Sequence, residues 1–259
     1  MRTIIIGDIH GCNQELRAML ERVGIVILSE VKGRPECNHV IPSEVEGSLE
    51  NETRNRPLSH PDDRLILLGD LFDRGPESWE VFRTVQALAE QFGDRFTLLR
   101  GNHEDYLMRE KLTLHDRWVW DRVGRGTTVK SFKEHGERME GAAPWLREHC
   151  KLFIRGEGFQ CVHAGLMVDP IEANDNQTLV HDHTIVLMNG YQGPFTVVGH
   201  IALDQPTWFA GDGETTEEIP YEEERPLPDR GILCIDTGCG KGGHLTAMIC
   251  ENRTYRLVQ

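Results

Sequence analysis

Three short apolar runs constrain this chain more than any other feature. Thr3-Ile4-Ile5-Ile6 leads into Gly7-Asp8-Ile9-His10-Gly11, and Leu65-Ile66-Leu67-Leu68 into Gly69-Asp70-Leu71-Phe72-Asp73-Arg74-Gly75. Phe96-Thr97-Leu98-Leu99 leads into Arg100-Gly101-Asn102-His103-Glu104. A short apolar run bounded by glycine reads as a buried strand. In open α/β sheets, ligands sit in the crevice outside the carboxyl ends of such strands. Three rigid elements therefore deliver Asp and His, two Asp and an Arg, and Asn and His to one place.

The side chains suit a metal site. Residues i and i+2 on an extended chain point the same way, so Asp8 and His10 can grip one cation together. The two carboxylate oxygens of Asp70 can bridge two cations. Asn102 offers a neutral amide oxygen, and His163 and His200 offer imidazole nitrogens. Such a set, without thiolate, suits Mn²⁺, Fe or Zn²⁺ over softer ions. Each residue alone has an ordinary rival: an Asp after a strand is commonly a cap or turn residue, and a lone buried His a hydrogen-bonded core residue. The metal reading rests on their conjunction.

GDIHG at 7–11, GDLFDRG at 69–75 and GNHE at 101–104 resemble, in that order, the three motif blocks of the calcineurin-like metallophosphoesterases. The DRG form of the second block is similar to the phosphoprotein phosphatase branch, which includes bacterial and phage Ser/Thr phosphatases and symmetrical diadenosine tetraphosphatases. Cys161-Val162-His163-Ala164-Gly165-Leu166 and Val197-Val198-Gly199-His200 match that branch's two later histidine blocks. Ile235-Asp236-Thr237-Gly238-Cys239, with Gly242 to Ala247 after it, resembles the C-terminal hairpin of bacterial members.

The resemblance implies an α/β fold, a four-layer α/β/β/α sandwich of two mixed sheets flanked by helices. It is expected as a single domain over 1–259 with an inserted loop at about 29–62. It implies two divalent ions, Mn first and Fe or Zn as alternatives. Asp8, His10 and Asp70 would hold one, and Asp70, Asn102, His163 and His200 the other. A hydroxide between the ions would attack phosphorus in line, with the ions roughly 3.5–4 Å apart. His103 would protonate the leaving group, assisted by Asp73, because an adjacent carboxylate favours the protonated imidazole. Arg74 would clamp phosphate oxygens through its fork of donors, and Asn102 and His103 would also touch substrate. Glu104 and Arg100 read as structural groups near the site, and Asp236 as support behind it.

Two departures from the family pattern stand out. Members commonly carry an Arg between the late histidine blocks as a second phosphate clamp, but Thr178-Leu179-Val180-His181-Asp182-His183-Thr184 contains none. His181 and His183 are the candidate substitutes, mostly uncharged at neutral pH. Gly199-His200-Ile201-Ala202 also lacks the second histidine found in many other metallophosphoesterases, which agrees with the phosphoprotein phosphatase branch.

The resemblance thus implies an enzyme, a two-metal phosphoester hydrolase. The leading expectation is a Ser/Thr protein phosphatase, with phosphotyrosine as a further substrate. The alternative is a symmetrical dinucleoside polyphosphate hydrolase acting on diadenosine tetraphosphate, and a remote one is a non-catalytic metal-binding protein. Partners are accordingly a phosphorylated protein, small molecule or dinucleotide. A formal charge of −14 argues against nucleic acid, since nonspecific binding relies on Lys and Arg neutralising phosphates. No apolar run approaches bilayer length, so neither a membrane nor export is expected and the location reads as cytoplasmic. The seven cysteines, without a CxxC pair, read as reduced.

Along the chain, Asn13–Val23 reads as a helix with Leu16, Met19, Leu20 and Val23 on one stripe. Glu77–Phe92 reads likewise, with Trp79, Phe82, Val85 and Leu88 or Ala89 inward and Pro76 in its first turn. A helical region follows to Cys150, with Trp118, Trp120, Phe132 and Trp145 assigned to core, a cap on the substrate side being the alternative. Short strands follow from residue 152, and Glu217–Glu224 reads as a solvated loop. His39, His60, His115, His135, His149 and His244 have no partner pattern.

Overall fold

A computed structural model describes residues 1–28, 62–183 and 190–259. The expected insertion, apart from Asp62, lies outside the described residues, as do His39 and His60. In chain order the strands are β1 (Thr3–Ile6), β2 (Arg64–Leu67), β3 (Phe96–Leu99), β4 (Cys150–Lys151), β5 (Phe153–Arg155), β6 (Gln160–Val162), β7 (Thr196–Val198), β8 (Thr207–Phe209), β9 (Thr216–Glu218), β10 (Arg225–Pro226), β11 (Ile232–Cys234), β12 (Ala247–Glu251) and β13 (Thr254–Val258).

They form two sheets, ordered β10-β13-β12-β1-β2-β3-β4 and β5-β6-β7-β11-β8-β9. In the first, β1 to β4 run parallel and β12 pairs antiparallel with both β1 and β13. In the second, β6, β7 and β11 run parallel while β5, β8 and β9 are antiparallel. Both sheets are mixed, as expected.

Strand side chains alternate between faces, and that alternation builds the layers. Ile4, Ile6, Leu65, Leu67 and Leu98 face one core, shared with the long helices. Ile5, Ile66, Leu68 and Leu99 face a second core, opposite Cys161, Val197 and Leu233 of the other sheet. Val162, Val198, Ile232 and Cys234 turn to a third, closed by Leu179 and Val180 of the helix Asn176–His181. Helix, sheet, sheet and helix follow in order. Fully burying one such aliphatic side chain contributes about 1.5–3 kcal/mol, so a β1 strand buried on both faces is strongly fixed.

The helix Asn13–Arg22 buries Leu16, Met19 and Leu20. The helix Ser78–Phe92 buries Val81, Phe82, Val85 and Leu88, with Trp79 only partly covered. Pro76 precedes this helix instead of opening it. The intervening Glu77 turns its carboxylate to cap the first helix, accepting from Asn13 N at 2.9 Å and Gln14 N at 3.1 Å. The tryptophans divide: Trp120 is buried, Trp145 packs against the core in part, and Trp118 is 57% exposed. Trp118 and Leu114 project from a helix, Leu114–Arg122, whose sole buried residue is Trp120. Part of the acidic tract is a strand: β9 pairs Thr216–Glu218 with β8 as an exposed sheet edge, where charged residues block further strand addition. Among the described residues, no helix is long and apolar enough to cross a membrane.

Candidate metal centre

The loops after β1, β2 and β3 are knitted together by backbone hydrogen bonds. Ile9 N and His10 N donate to Asp70 O at 3.1 and 2.8 Å, and Gly75 N donates to His10 O at 2.9 Å. Glu104 joins the third loop, its carboxylate accepting from Asp70 N (2.7 Å), Leu71 N (2.8 Å) and Gly101 N (3.0 Å). The chain makes sharp, unfavourable turns here. His10 (φ 47°), Asp70 (49°), Asp73 (71°), Arg74 (66°) and His200 (70°) all occupy the left-handed region, which for non-glycine residues costs on the order of 1–3 kcal/mol each and clusters at functional sites. Gly101 and Gly199 allow close approach: a Cβ at either would collide with a carboxylate oxygen, of Asp70 and Asp8 respectively.

Asp70 stands at the middle of the buried side chains. Its Oδ2 lies 3.5 Å from His10 Nε2 and 3.8 Å from His103 Nε2, and its Oδ1 lies 3.4 Å from His163 Nε2. Two triads, His10–Asp70–His103 and Asp70–His163–His200, bring one atom of each residue within 4.8 Å of the others. The histidines are pre-oriented. Nδ1 of His10 sits 2.9 Å from Phe72 O and Nδ1 of His163 sits 2.8 Å from Leu68 O. A carbonyl at Nδ1 fixes the proton there and leaves Nε2 free as a ligand. Asn102 lies against the second triad, its amide 3.0 Å from His200 Nδ1 and 3.4 Å from His163 Nε2. Turned nitrogen-inward it donates to both Asp70 oxygens, at 3.3 and 3.1 Å; turned oxygen-inward it is a neutral ligand.

Asp8 stands slightly apart, outside both triads. Its Oδ2 accepts from His200 N at 2.8 Å, and its buried Oδ1 has no partner. Nε2 of His103, Nε2 of His200 and Oδ2 of Asp236 are likewise buried without a hydrogen bond. Burying an unpaired polar atom is costly. The unpartnered oxygen of Asp8 and nitrogen of His200 are of the kind that fits divalent cations.

Charge is arranged to match. Burial pushes the Asp70 carboxyl up, but the imidazoles of His163, His103, His10 and His200 outweigh it and hold it well below the usual carboxylate range. Burial, joined by the charges of Asp236 and Asp70, pushes Asp8 well above that range. Burial lowers His10, His163 and His200, most strongly His10 and His200, against the opposing pull of Asp70. His103 differs: burial lowers it, yet Asp70 and Asp73 reverse the sign and raise it.

The other predicted residues fall into place unevenly. His103 Nδ1 is 2.5 Å from Asp73 Oδ2, both side chains fully buried. Arg74 reaches into the first triad and contacts His10 Nε2. His183 stacks on His200, ring centroids 4.2 Å apart. His181 is held elsewhere, 2.7 Å from Asp105 Oδ2 and 3.1 Å from Arg109 Nη2. Asp236 accepts from Gly238 N at 2.9 Å and acts on Asp8 through charge. Sequence reasoning did not reach Trp120 and Thr128, whose Nε1 and Oγ1 bond the Asp73 carboxylate. They lie 47 and 55 residues away in sequence, and no local spacing announces contacts that distant.

Comparison with known proteins agrees with this geometry. Residues 1–223 match the sequence profile of the calcineurin-like phosphoesterases. A protein of Anoxybacillus flavithermus named bis(5'-nucleosyl)-tetraphosphatase PrpE [asymmetrical] is 31% identical over 253 residues, covering 94% of this chain and 88% of its own. One of the same name from Halalkalibacterium halodurans is 28% identical over 261 residues, covering 96% and 89%. Among solved structures, a cold-active protein tyrosine phosphatase superposes with a TM-score of 0.57 at 14% identity, covering all of this chain and 78% of that one; at that identity the likeness concerns the fold. Sequence profile, sheet order and the ligand-bearing strand ends converge: this chain belongs to the calcineurin-like phosphoesterase family.

Proposed function

We propose that this chain is a two-metal hydrolase that cleaves the polyphosphate bridge of dinucleoside tetraphosphates. The observation that carries the hydrolase reading is the Asp70 carboxylate lying between His10 and His103 on one side and His163 on the other. The family is one of binuclear divalent-metal enzymes. In this reading Asp8, His10 and Asp70 hold one ion, and Asp70, Asn102, His163 and His200 the other. Two ions so held would supply positive charge for the phosphoryl oxygens and would lower the pKa of a water. Arg74 orients the phosphoryl group through its guanidinium fork, and His183, stacked on His200, is the candidate substitute for a second arginine. His103 keeps Nδ1 on Asp73 and delivers a proton from Nε2 to the departing oxygen.

The dinucleotide substrate is supported by the names of the relatives that span nearly the whole chain. A second reading, hydrolysis of phosphoserine or phosphothreonine in proteins, is favoured by the His103–Asp73 pair. An alkoxide leaving group needs a proton far more than a nucleotide phosphate does, and this acid is fully buried.

Turnover with Mn²⁺ on diadenosine tetraphosphate, a phosphoserine peptide and p-nitrophenyl phosphate tests both. Preferred cleavage of the tetraphosphate is expected, with AMP and ATP as products if the relatives' asymmetry holds and ADP alone if cleavage is symmetrical. Faster turnover of the peptide would replace the substrate assignment with the second reading. Inactivity on all three, with metal bound, would overturn the hydrolase reading.

A further inference from the structure

Asp73 is gripped from three elements, and the grip is on the same carboxylate that orients His103. Its Oδ2 accepts from both His103 Nδ1 at 2.5 Å and Trp120 Nε1 at 2.6 Å. Its Oδ1 accepts from Thr128 Oγ1 at 2.5 Å. The Thr128 hydroxyl does a second task, accepting from Asp73 N at 2.8 Å, so one oxygen clasps backbone and carboxylate together. Ser78 Oγ completes the group, 3.0 Å from Thr128 Oγ1 and 3.3 Å from Asp73 N. Asp73, Trp120 and Thr128 are all buried, at 0%, 4% and 1% exposure, so water cannot substitute for either donor.

These contacts oppose a local preference. Asp73 sits at φ 71°, a conformation a non-glycine residue keeps only where its surroundings over-determine it. A carboxylate joined to its backbone by two torsions would otherwise turn. Turning it would swing the His103 ring, because Nδ1 has no other hydrogen-bond partner among the described residues. His103 Nε2, the nitrogen that must meet the leaving oxygen, would then be misaimed. Proton transfer demands hydrogen-bond reach of the departing atom, and a supporting group left loose costs rate without altering the catalytic atoms.

We infer that Trp120 and Thr128 are positioning residues for proton delivery by His103, acting through Asp73. This rests on the reading of His103 as the general acid. Neither residue touches substrate in this account; both belong to the helical region after His103, Trp120 on Leu114–Arg122 and Thr128 on Arg125–Glu134.

The test uses leaving-group dependence, which a merely structural role would not move. Phenyl phosphate releases a more basic oxygen than p-nitrophenyl phosphate and needs the proton more. Values of kcat/KM on both esters, with bound Mn²⁺ measured, would be compared for the wild type, Trp120→Phe, Thr128→Val, Thr128→Ser and His103→Asn. Phe and Val keep ring and shape while removing the donors; Ser keeps the hydroxyl. A well-placed acid contributes roughly 10²–10⁴-fold, so Trp120→Phe and Thr128→Val are expected to lose roughly tenfold more rate on phenyl phosphate than on p-nitrophenyl phosphate. Thr128→Ser should stay near the wild type, and His103→Asn should show the largest separation. If His103→Asn separates the esters but Trp120→Phe and Thr128→Val lower both equally, or neither, the positioning role is overturned and the acid stands. If His103→Asn does not separate them, the acid reading falls and this inference with it.

Discussion

Glu104 accepts from three backbone N–H groups, one on each side of the Asp70 peptide and one at Gly101, and is fully buried. Burial and the Asp70 charge push its carboxyl up to about 8, against the pull of those N–H donors. Its role is to fix the loops that carry Asp70 and Asn102. Truncation leaves three donors without partners, at about 1–3 kcal/mol for each buried group left unpaired. Glu104→Ala is therefore predicted to destabilise the fold by about 3 kcal/mol or more, with Glu104→Gln recovering part through its amide oxygen. Urea denaturation of both variants checks this; an unchanged midpoint for Glu104→Ala would contradict it. At this scale the sequence was highly legible where chemistry and spacing coincide. Asp8, His10, Asp70, Asn102, His103, His163 and His200 follow strand ends or fixed motifs, and each reaches the centre. It was illegible where contacts are long-range. Trp120 read as core, and burial was right, but its indole N–H faces a carboxylate from a distant turn.

At the scale of elements, the helix Asn102–Met108 links the centre to its surroundings. Its Asp105 receives His181 from the helix Asn176–His181 at 2.7 Å and Arg109 at 2.6 Å. Burial raises the Asp105 carboxyl, but the His181 hydrogen bond and the Arg109 charge outweigh it and hold it below its ordinary value. A carboxyl depressed in the folded state adds stability above its unfolded pKa and loses it as pH falls through the folded value. Thermal melts are thus predicted to show the wild type losing stability below the ordinary carboxylate range, near pH 3.8, and Asp105→Asn losing less over that interval. A parallel decline in the two would contradict the pairing. Elements were legible to the degree that their pattern was strong. β1 and β2 lay where apolar runs placed them, while the two-residue strands β4 and β10 carry no periodicity to detect. The helix Leu114–Arg122 misled because Trp118 and Leu114 are apolar residues on its exposed side.

For the whole molecule, a net charge of −14 raises the question of how an acidic protein holds anionic substrate. Local positive charge is required, and Arg74 alone reaches the first triad among the arginines described there. Bound cations supply the rest, and they also relieve the unpartnered atoms of Asp8 and His200. Metal should consequently stabilise the fold as well as the chemistry. A ligand present at 100 times its Kd adds about 2.7 kcal/mol, so chelation is predicted to lower Tm by several degrees and Mn²⁺ to restore it. Calorimetry of chelated and reloaded protein decides the matter; an identical Tm in both would mean the centre holds no ion. The order of layers was legible through the family resemblance, and the continuous apolar runs of β1, β2 and β3, buried on both faces, agree with it. The fourth layer was expected from the same resemblance, though the helix that closes it, Asn176–His181, has only 6 residues and no pattern of its own to announce it.

The central claim is that Asp70 joins two cation sites in one centre. Metal stoichiometry, measured by elemental analysis on Mn²⁺-loaded wild type and Asp70→Asn, tests it most directly. Asn keeps the size of Asp and tolerates the left-handed backbone, so the variant should fold. Two ions per chain are predicted for the wild type and at most one for Asp70→Asn, with activity lost. A variant that retains two ions would contradict the account.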